Sequence, residues 1–121
     1  MPKKKILIID DEKDLAGAVK IWLDAANYET TVALSGQDGL AKSQLIRHDL
    51  ILLDIKMPDM DGFQVLRRLR ADVNTQDTPV IMLTCQTDSS SIFEAQRHGS
   101  VDYIIKQSDP KELLKTIKEH I

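Results

Sequence analysis

Acidic, hydroxyl and basic side chains that could form one reactive site stand directly after apolar runs of this chain: Asp10, Asp11, Asp54, Thr84 and Lys106. Two carboxylates about 4 Å apart repel each other by on the order of 4 kcal/mol at an effective dielectric of about 20, and a hard cation offsets that repulsion. Magnesium takes oxygen ligands and commonly binds one or two carboxylates together with a phosphate. A lysine and a hydroxyl suit phosphoryl oxygens, and a carboxylate can be the nucleophile that becomes an aspartyl phosphate. These residue types therefore indicate magnesium-assisted phosphoryl transfer, provided that they meet in space.

Five short apolar or β-branched runs, separated by segments of helical periodicity, predict strands that would position these residues. Residues 6–9, 50–53 and 80–83 are continuous apolar runs, typical of parallel strands buried on both faces. Residues 103–105 predict a further strand, and 30–33 a weaker one of the kind found at a sheet edge.

The first two helices are indicated by apolar spacing and by capping residues. The expected apolar face of the first helix comprises Leu15, Val19, Trp22 and Ala26. Asn27 is expected to end that helix. Ser35, with Asp38 three residues on, predicts the start of a second helix that runs to about Arg47.

Three more helices complete an alternating pattern. A short one is expected around 63–69, and another over 89–98 with Gly99 as its left-handed cap. Asp109 and Pro110 predict the start of the last helix, whose apolar face comprises Leu113, Leu114 and Ile117. The pattern is therefore (βα)5, an α/β fold with a doubly wound parallel five-stranded sheet and helices on both faces.

In such a sheet the carboxyl ends of all strands lie at one edge, where ligands bind. Asp10, Asp54 and Lys106 should therefore converge although they are distant in the sequence. Asp49 provides an internal control, because it precedes Asp54 by about 16 Å along an extended strand at roughly 3.3 Å per residue. We expect Asp49 and the adjacent His48 to lie at the opposite edge, outside the site.

Each candidate also has an ordinary structural interpretation. The acids at 10–12 could favour the positive end of the following helix, and Asp54 could be a turn residue. Thr84 alone suits a turn or cap, and Lys106 alone suits a solvated surface. Their joint position at strand ends, with complementary charge, favours a site.

Composition limits the class of protein. The chain has 121 residues, enough for one domain (1–121), with 42% apolar and 29% charged residues. Its net charge of −3 argues against direct nucleic-acid binding. No apolar run approaches the roughly 20 residues of a membrane helix, and the short apolar run after the first lysines does not suit a secretory signal. Cys85 is the single cysteine, so no internal disulfide can form, and we expect a cytoplasmic protein.

Four segments resemble the receiver domains of two-component response regulators, including the single-domain chemotaxis type. They are residues 8–12, 52–62, 83–84 and 102–106, and the likeness runs from about Lys4 to Ile117. The segment Leu-Leu-Asp-Ile-Lys-Met-Pro-Asp-Met-Asp-Gly is the most specific of the four. The resemblance implies a flavodoxin-like fold with strand order 2-1-3-4-5.

The resemblance also implies a role for each residue of the site. Asp54 would accept the phosphoryl group and help to bind Mg²⁺. Asp11 would bind the ion directly and Asp10 largely through water, with the backbone carbonyl of Lys56 as another ligand. Thr84 and Lys106 would contact the phosphoryl group.

Signalling roles follow from the same resemblance. The phosphoryl donor would be a sensor histidine kinase or a histidine phosphotransfer protein, and the chain would be a phosphoacceptor, not a turnover enzyme. Tyr103 would turn inward as a switch when Thr84 moves, and strand alternation places it on the face of Ile105, opposite Lys106. A downstream protein partner or output domain would bind the surface of helix 89–98, strand 103–105 and the last helix.

The chain departs from the family pattern at positions close to the predicted site. Gln107 replaces the usual proline after Lys106, and we expect a trans bond there because a cis bond before a non-proline residue costs about 2.5–4 kcal/mol. Cys85 replaces a usual alanine or glycine. Lys56 and Gln86 occupy positions that influence how long the phosphoryl group persists in the family.

Three alternative functions remain open. A flavodoxin-like cofactor-binding domain fits the strand–helix pattern, although the acids at 10–12 would repel a phosphate and no G-x-G-x-x-G motif follows the first strand. A pseudo-receiver that is never phosphorylated fits Gln107. An aspartyl-nucleophile phosphatase usually has a second acid two residues after the nucleophile, where this chain has Lys56.

Overall fold

The computed structural model describes residues 2–84, 97, 99–100, 102–106 and 109–121. The strands are β1 Lys5–Ile9, β2 Glu29–Ala33, β3 Leu50–Asp54, β4 Val80–Thr84 and β5 Asp102–Ile105. The helices within these described residues are α1 Lys13–Ala25, α2 Gly36–Leu45, α3 Gly62–Ala71 and α4 Pro110–His120.

The five strands form one parallel sheet in the order β2-β1-β3-β4-β5. This order confirms the predicted doubly wound α/β fold, including the position of β2 at an edge. The register places Asp54 beside Leu83, and Thr84 beside Ile105. The last residues of β3, β4 and β5 therefore lie side by side along the carboxyl edge.

Both faces of the central strands are buried, which explains their continuous apolar runs. Successive side chains point to opposite faces. One face of the sheet packs against α2 and α3. The buried residues on this side include Leu7, Ile9, Ile51, Leu53 and Met82 of the strands and Val65 and Leu69 of α3. The other face packs against α1 and α4 and includes Ile6, Ile8, Leu50, Leu52, Ile81, Leu23 and Ile117.

The predicted capping residues are confirmed at three helix ends. The Ser35 hydroxyl accepts a hydrogen bond from the backbone N–H of Asp38 at 3.0 Å. The Asp109 carboxylate accepts one from the N–H of Lys111 at 2.8 Å, and a proline follows the cap. Asn27, two residues beyond α1, has a left-handed φ of 74° and ends that helix as predicted.

Two helix details differ from the sequence prediction. The buried face of α1 is formed by Ala16, Val19 and Leu23, whereas Leu15, Trp22 and Ala26 of the predicted face are half-buried. Helix α2 ends at Leu45, two residues before the predicted end at about Arg47, because Ile46 adopts an extended backbone with φ −141° and ψ 154°.

Residues 89–96 and 98 of the helix predicted over 89–98 lie outside the described residues, and Arg97 within that range is helical. Gly99, its predicted cap, has the expected left-handed φ of 97°. Among the helices of the described residues, none combines the length and the apolar character that a membrane crossing requires.

Candidate functional site

Residues from three strand ends converge at the carboxyl edge of the sheet. Asp10 follows β1, Asp54 ends β3 and Lys106 follows β5. The Lys106 ammonium lies 3.1 Å from Oδ2 of Asp54 and 3.3 Å from both oxygens of Asp10. All three side chains are at most 5% exposed. These three residues therefore meet in space, as their positions at strand ends predict.

Glu12 joins this cluster, which the sequence argument missed. Its Oε1 lies 2.8 Å from the Lys106 ammonium, the shortest of the ion pairs that Lys106 forms with the three acids. The N–H of Glu12 donates to Oδ1 of Asp10 at 2.9 Å, which turns the chain into α1. The signal in the sequence is the third consecutive acid, for which the positive end of the following helix is an alternative explanation. Asp11, between them, is half-buried.

The loop after β3 is fixed from beneath by apolar side chains. Ile55, Met57 and Met60 are each less than a tenth exposed and belong to the same core cluster as Val65 and Leu66. These buried side chains hold the loop beside Asp54, although the residues between them are polar. The packing therefore explains why the predicted 57–62 loop contains two methionines.

Two acids of the same loop cap the neighbouring helices. Asp59 accepts hydrogen bonds from the N–H groups of Gly36 and Gln37 at the start of α2, both at 3.1 Å. These bonds, that of Gln37 first, hold the pKa of Asp59 below its usual value. Asp61 and Gln64 form a capping box at the start of α3, with bonds of 2.9 and 3.1 Å. The loop is thereby joined to both helices on its face of the sheet.

Gly62 is required by a close approach of backbone to backbone. Its N–H donates to the Ile55 carbonyl at 2.7 Å, which closes the loop. A Cβ at this position would overlap the Asp54 carbonyl oxygen and come within 2.9 Å of the Ile55 Cα. A side chain here would displace the backbone of Asp54 itself.

The charges of the cluster are unbalanced, since three carboxylates share one ammonium. Burial, and then the negative charge of Asp10, raise the pKa of Asp54 to about 7, although Lys106 acts in the opposite direction. Burial alone would lower the pKa of Lys106, but contacts with Glu12, Asp54 and Asp10 outweigh it and raise that pKa. The lysine is therefore charged, and its single positive charge does not neutralise three ionised carboxylates.

The donor set fits a magnesium ion. Carboxylate oxygens of Asp10, Glu12 and Asp54 lie within 4.8 Å of one another. Oδ2 of Asp10 and Oδ2 of Asp54 are buried, and neither accepts a hydrogen bond from the residues that the structure describes; each faces Lys106 at ion-pair distance. Clustered carboxylate oxygens with spare lone pairs are the ligands that hard divalent cations prefer.

The remaining predicted residues lie on or just after strands β3, β4 and β5. Thr84 is buried, and its carbonyl accepts the N–H of Lys106 at 2.6 Å. The N–H of Lys56 lies 3.4 Å from Oδ1 of Asp54. Tyr103 is 38% exposed, whereas Ile104 is buried, as the predicted alternation along β5 requires. Residues 85, 86 and 107, where the chain departs from the family pattern, lie outside the described residues.

The internal control behaves as expected. Oδ2 of Asp49 accepts the backbone N–H of Lys5 at 2.8 Å, at the amino end of β1. Asp49 and the buried His48 beside it therefore lie at the edge opposite Asp54.

These features define an α/β domain of flavodoxin-like topology whose carboxyl edge carries a buried acid–lysine cluster. The family model of the response regulator receiver domain matches residues 6–118. The chain belongs to this family, the receiver domains of two-component signal transduction. Membership in this family favours a receiver over the alternatives of a flavin-binding domain and a phosphatase.

Relatives and solved structures agree with this assignment. The chain is 36% identical to response regulator ArlR of Staphylococcus saprophyticus over 114 residues, 94% of this chain and 50% of ArlR. It is 35% identical to DNA-binding response regulator MtrA of Mycobacterium tuberculosis, over 98% of this chain and 51% of MtrA. The chain thus spans about half the length of these relatives. Chemotaxis protein CheY4 of Vibrio cholerae superposes with a TM-score of 0.95 at 33% identity, covering 98% of this chain and 99% of CheY4.

Proposed function

We propose that this chain is a single cytoplasmic receiver domain (1–121) that accepts a phosphoryl group on Asp54 with the help of Mg²⁺. The donor is a phosphohistidine of a sensor kinase or a histidine phosphotransfer protein. The observation that carries the proposal is a buried ammonium, that of Lys106, in contact with the two buried carboxylates of Asp10 and Asp54. The domain acts as a phosphoacceptor and not as a turnover enzyme.

In the transfer step, a carboxylate oxygen of Asp54 forms a bond to phosphorus while the P–N bond of the phosphohistidine breaks. The leaving imidazole nitrogen keeps the electron pair of that bond. Asp54 must be ionised to attack, yet burial and Asp10 hold its pKa near 7. Mg²⁺ held at this cluster would supply the positive charge that favours the ionised carboxylate and neutralises the phosphoryl oxygens. Asp10, Asp11, Asp54 and the Lys56 carbonyl are the proposed ligands.

Lys106 and Thr84 stabilise the phosphorylated state. The Lys106 ammonium already lies 3.1 Å from Asp54, so a phosphoryl group on Asp54 comes within its reach. We propose that this group draws Lys106 away from Glu12 and accepts a hydrogen bond from the Thr84 hydroxyl. Tyr103, exposed in this structure, then turns inward and alters the surface of segment 89–98, β5 and α4. The domain binds a protein partner or output domain there, without itself contacting nucleic acid or a membrane.

A mass measurement tests the acceptor. The wild type, incubated with acetyl phosphate and Mg²⁺, should gain one phosphoryl group, and Asp54→Asn should gain none. Asp49→Asn is the matched control, because it removes a carboxylate of the same strand region at the opposite edge. Equal labelling of wild type and Asp54→Asn would exclude Asp54 as the acceptor. An unlabelled wild type, with acetyl phosphate and with a phosphorylated kinase, would instead favour the pseudo-receiver.

A further inference from the structure

A second group of potential metal ligands lies at the amino end of β5, away from the phosphoacceptor cluster. Asp102 begins β5, and Glu119 and His120 end α4. One ligand atom from each of the three side chains lies within 4.8 Å of the other two. Asp102 precedes Lys106 by about 13 Å along the strand at roughly 3.3 Å per residue. The two groups therefore cannot share an ion.

The spacing of the ligand atoms suits tetrahedral coordination. Nε2 of His120 lies 3.0 Å from Oδ2 of Asp102. Neighbouring ligands of a tetrahedral zinc ion lie about 3.3 Å apart when each metal–ligand bond is about 2.0–2.1 Å. Small side-chain movements would therefore admit an ion in place of the proton between these two atoms, and Glu119 is within reach as a third ligand.

The Asp102 carboxylate is already oriented for this role. Its Oδ1 accepts the backbone N–H of Tyr103 at 2.8 Å, which leaves Oδ2 directed at His120. Hydrogen bonds of this kind commonly fix metal-binding carboxylates. The last turn of α4 adds partial negative charge from carbonyls that have no helical partner. Lys118 in the same turn is exposed, so solvent screens its repulsion.

We propose that Asp102, Glu119 and His120 bind a first-row divalent transition metal of the Zn²⁺ type, with water as the fourth ligand. One imidazole and two carboxylates suit such an ion, whereas Mg²⁺ prefers oxygen ligands alone. The bound ion links the start of β5 to the end of α4. This site is independent of phosphorylation at Asp54.

Calorimetric titration with Zn²⁺ in saturating Mg²⁺ tests the site in the full chain. The wild type should show one saturable Zn²⁺ site. His120→Gln should weaken the affinity for Zn²⁺ by more than about tenfold, because losing a residue that merely supports a metal ligand already costs about that much. Glu119→Gln, at an exposed position that the fold does not depend on, should also weaken it. Glu29→Gln is the control, since it removes an exposed acid from the strand at the other edge of the sheet, and it should leave the affinity unchanged. The visible absorption of bound Co²⁺ should indicate tetrahedral coordination.

Several results would overturn the proposal. Equal Zn²⁺ affinity in wild type and His120→Gln, or no saturable binding to the wild type, would exclude the site. Loss of binding in Asp54→Asn would assign the ion to the phosphoacceptor cluster instead. Unchanged binding in Asp54→Asn supports a separate site, whatever the outcome of the phosphorylation experiment.

Discussion

Replacing Asp54 by asparagine should stabilise the fold of the metal-free protein, because the native carboxylate is held in an unfavourable environment. Burial and the charge of Asp10 raise its pKa from 3.8 to about 7. At about 1.4 kcal/mol per pH unit, this change corresponds to a penalty of roughly 4 kcal/mol once the group is ionised. Asparagine has nearly the same shape and carries no charge, so it avoids most of that penalty.

The sign of the pH dependence follows from proton binding. Between pH 3.8 and about 7 the folded protein holds a proton on Asp54 that the unfolded chain has released. The contribution of this group to stability therefore falls as the pH rises through that window, and the loss is complete above about pH 7. The difference between Asp54→Asn and wild type should be largest near pH 8 and should shrink toward pH 4.

Urea unfolding of both proteins in a metal chelator, at pH 8 and at pH 5, measures this difference. Asp49→Asn serves as the control, since it removes an acid that lies outside the cluster and should not reproduce the gain. An Asp54→Asn protein that is no more stable than wild type at pH 8 would contradict the predicted penalty of the buried carboxylate. A gain that is equal at both pH values would refute the electrostatic origin.

Three further predictions concern stability. Millimolar Mg²⁺ should raise the Tm of the wild type, because binding at a hundredfold excess over Kd adds about 2.7 kcal/mol to the free energy of unfolding. The increase in Tm should be smaller for Asp54→Asn, and equal increases would contradict a site at Asp54. Gly62→Ala should cost roughly 1–3 kcal/mol in urea unfolding because its Cβ meets the backbone of Asp54 and Ile55. Gly17→Ala, with open space around it, is the control and should stabilise α1 slightly. Burial, and then the charge of Lys5, lower the pKa of His48 in the folded protein. Below about pH 6.5 the unfolded chain therefore binds more protons than the folded protein, and stability should decrease as the pH falls. A pH profile of Tm that is the same in His48→Phe and in wild type would contradict this.

The fold followed from local patterns because each pattern has a direct physical cause. Continuous apolar runs such as 50–53 require burial on both faces, which a parallel sheet covered by helices provides. Ser35 and Asp109 marked helix starts because their side chains satisfy nearby backbone N–H groups. The pattern was less accurate for the face of α1 and the end of α2, because the packing of each helix against its neighbours decides which residues are buried.

The strand order could be predicted only from the family resemblance and not from the hydrophobic pattern of the chain. Hydrophobic runs identify strands, but they do not say which strands are neighbours. The convergence of Asp10, Asp54 and Lys106 nevertheless follows for any parallel order, because all carboxyl ends share one edge. This is why the main cluster could be predicted from strand ends alone.

The sequence by itself thus determined the strands, the helix caps and the edge at which the reactive residues meet. Tertiary structure alone decided that Glu12 would take the shortest contact with Lys106, that Asp59 would cap a helix more than twenty residues earlier in the chain, and that Asp102 would meet His120. The physical reason is distance along the chain. Periodicity and capping act over a few residues, whereas these contacts depend on how elements far apart in the sequence are placed by the packing of a common core.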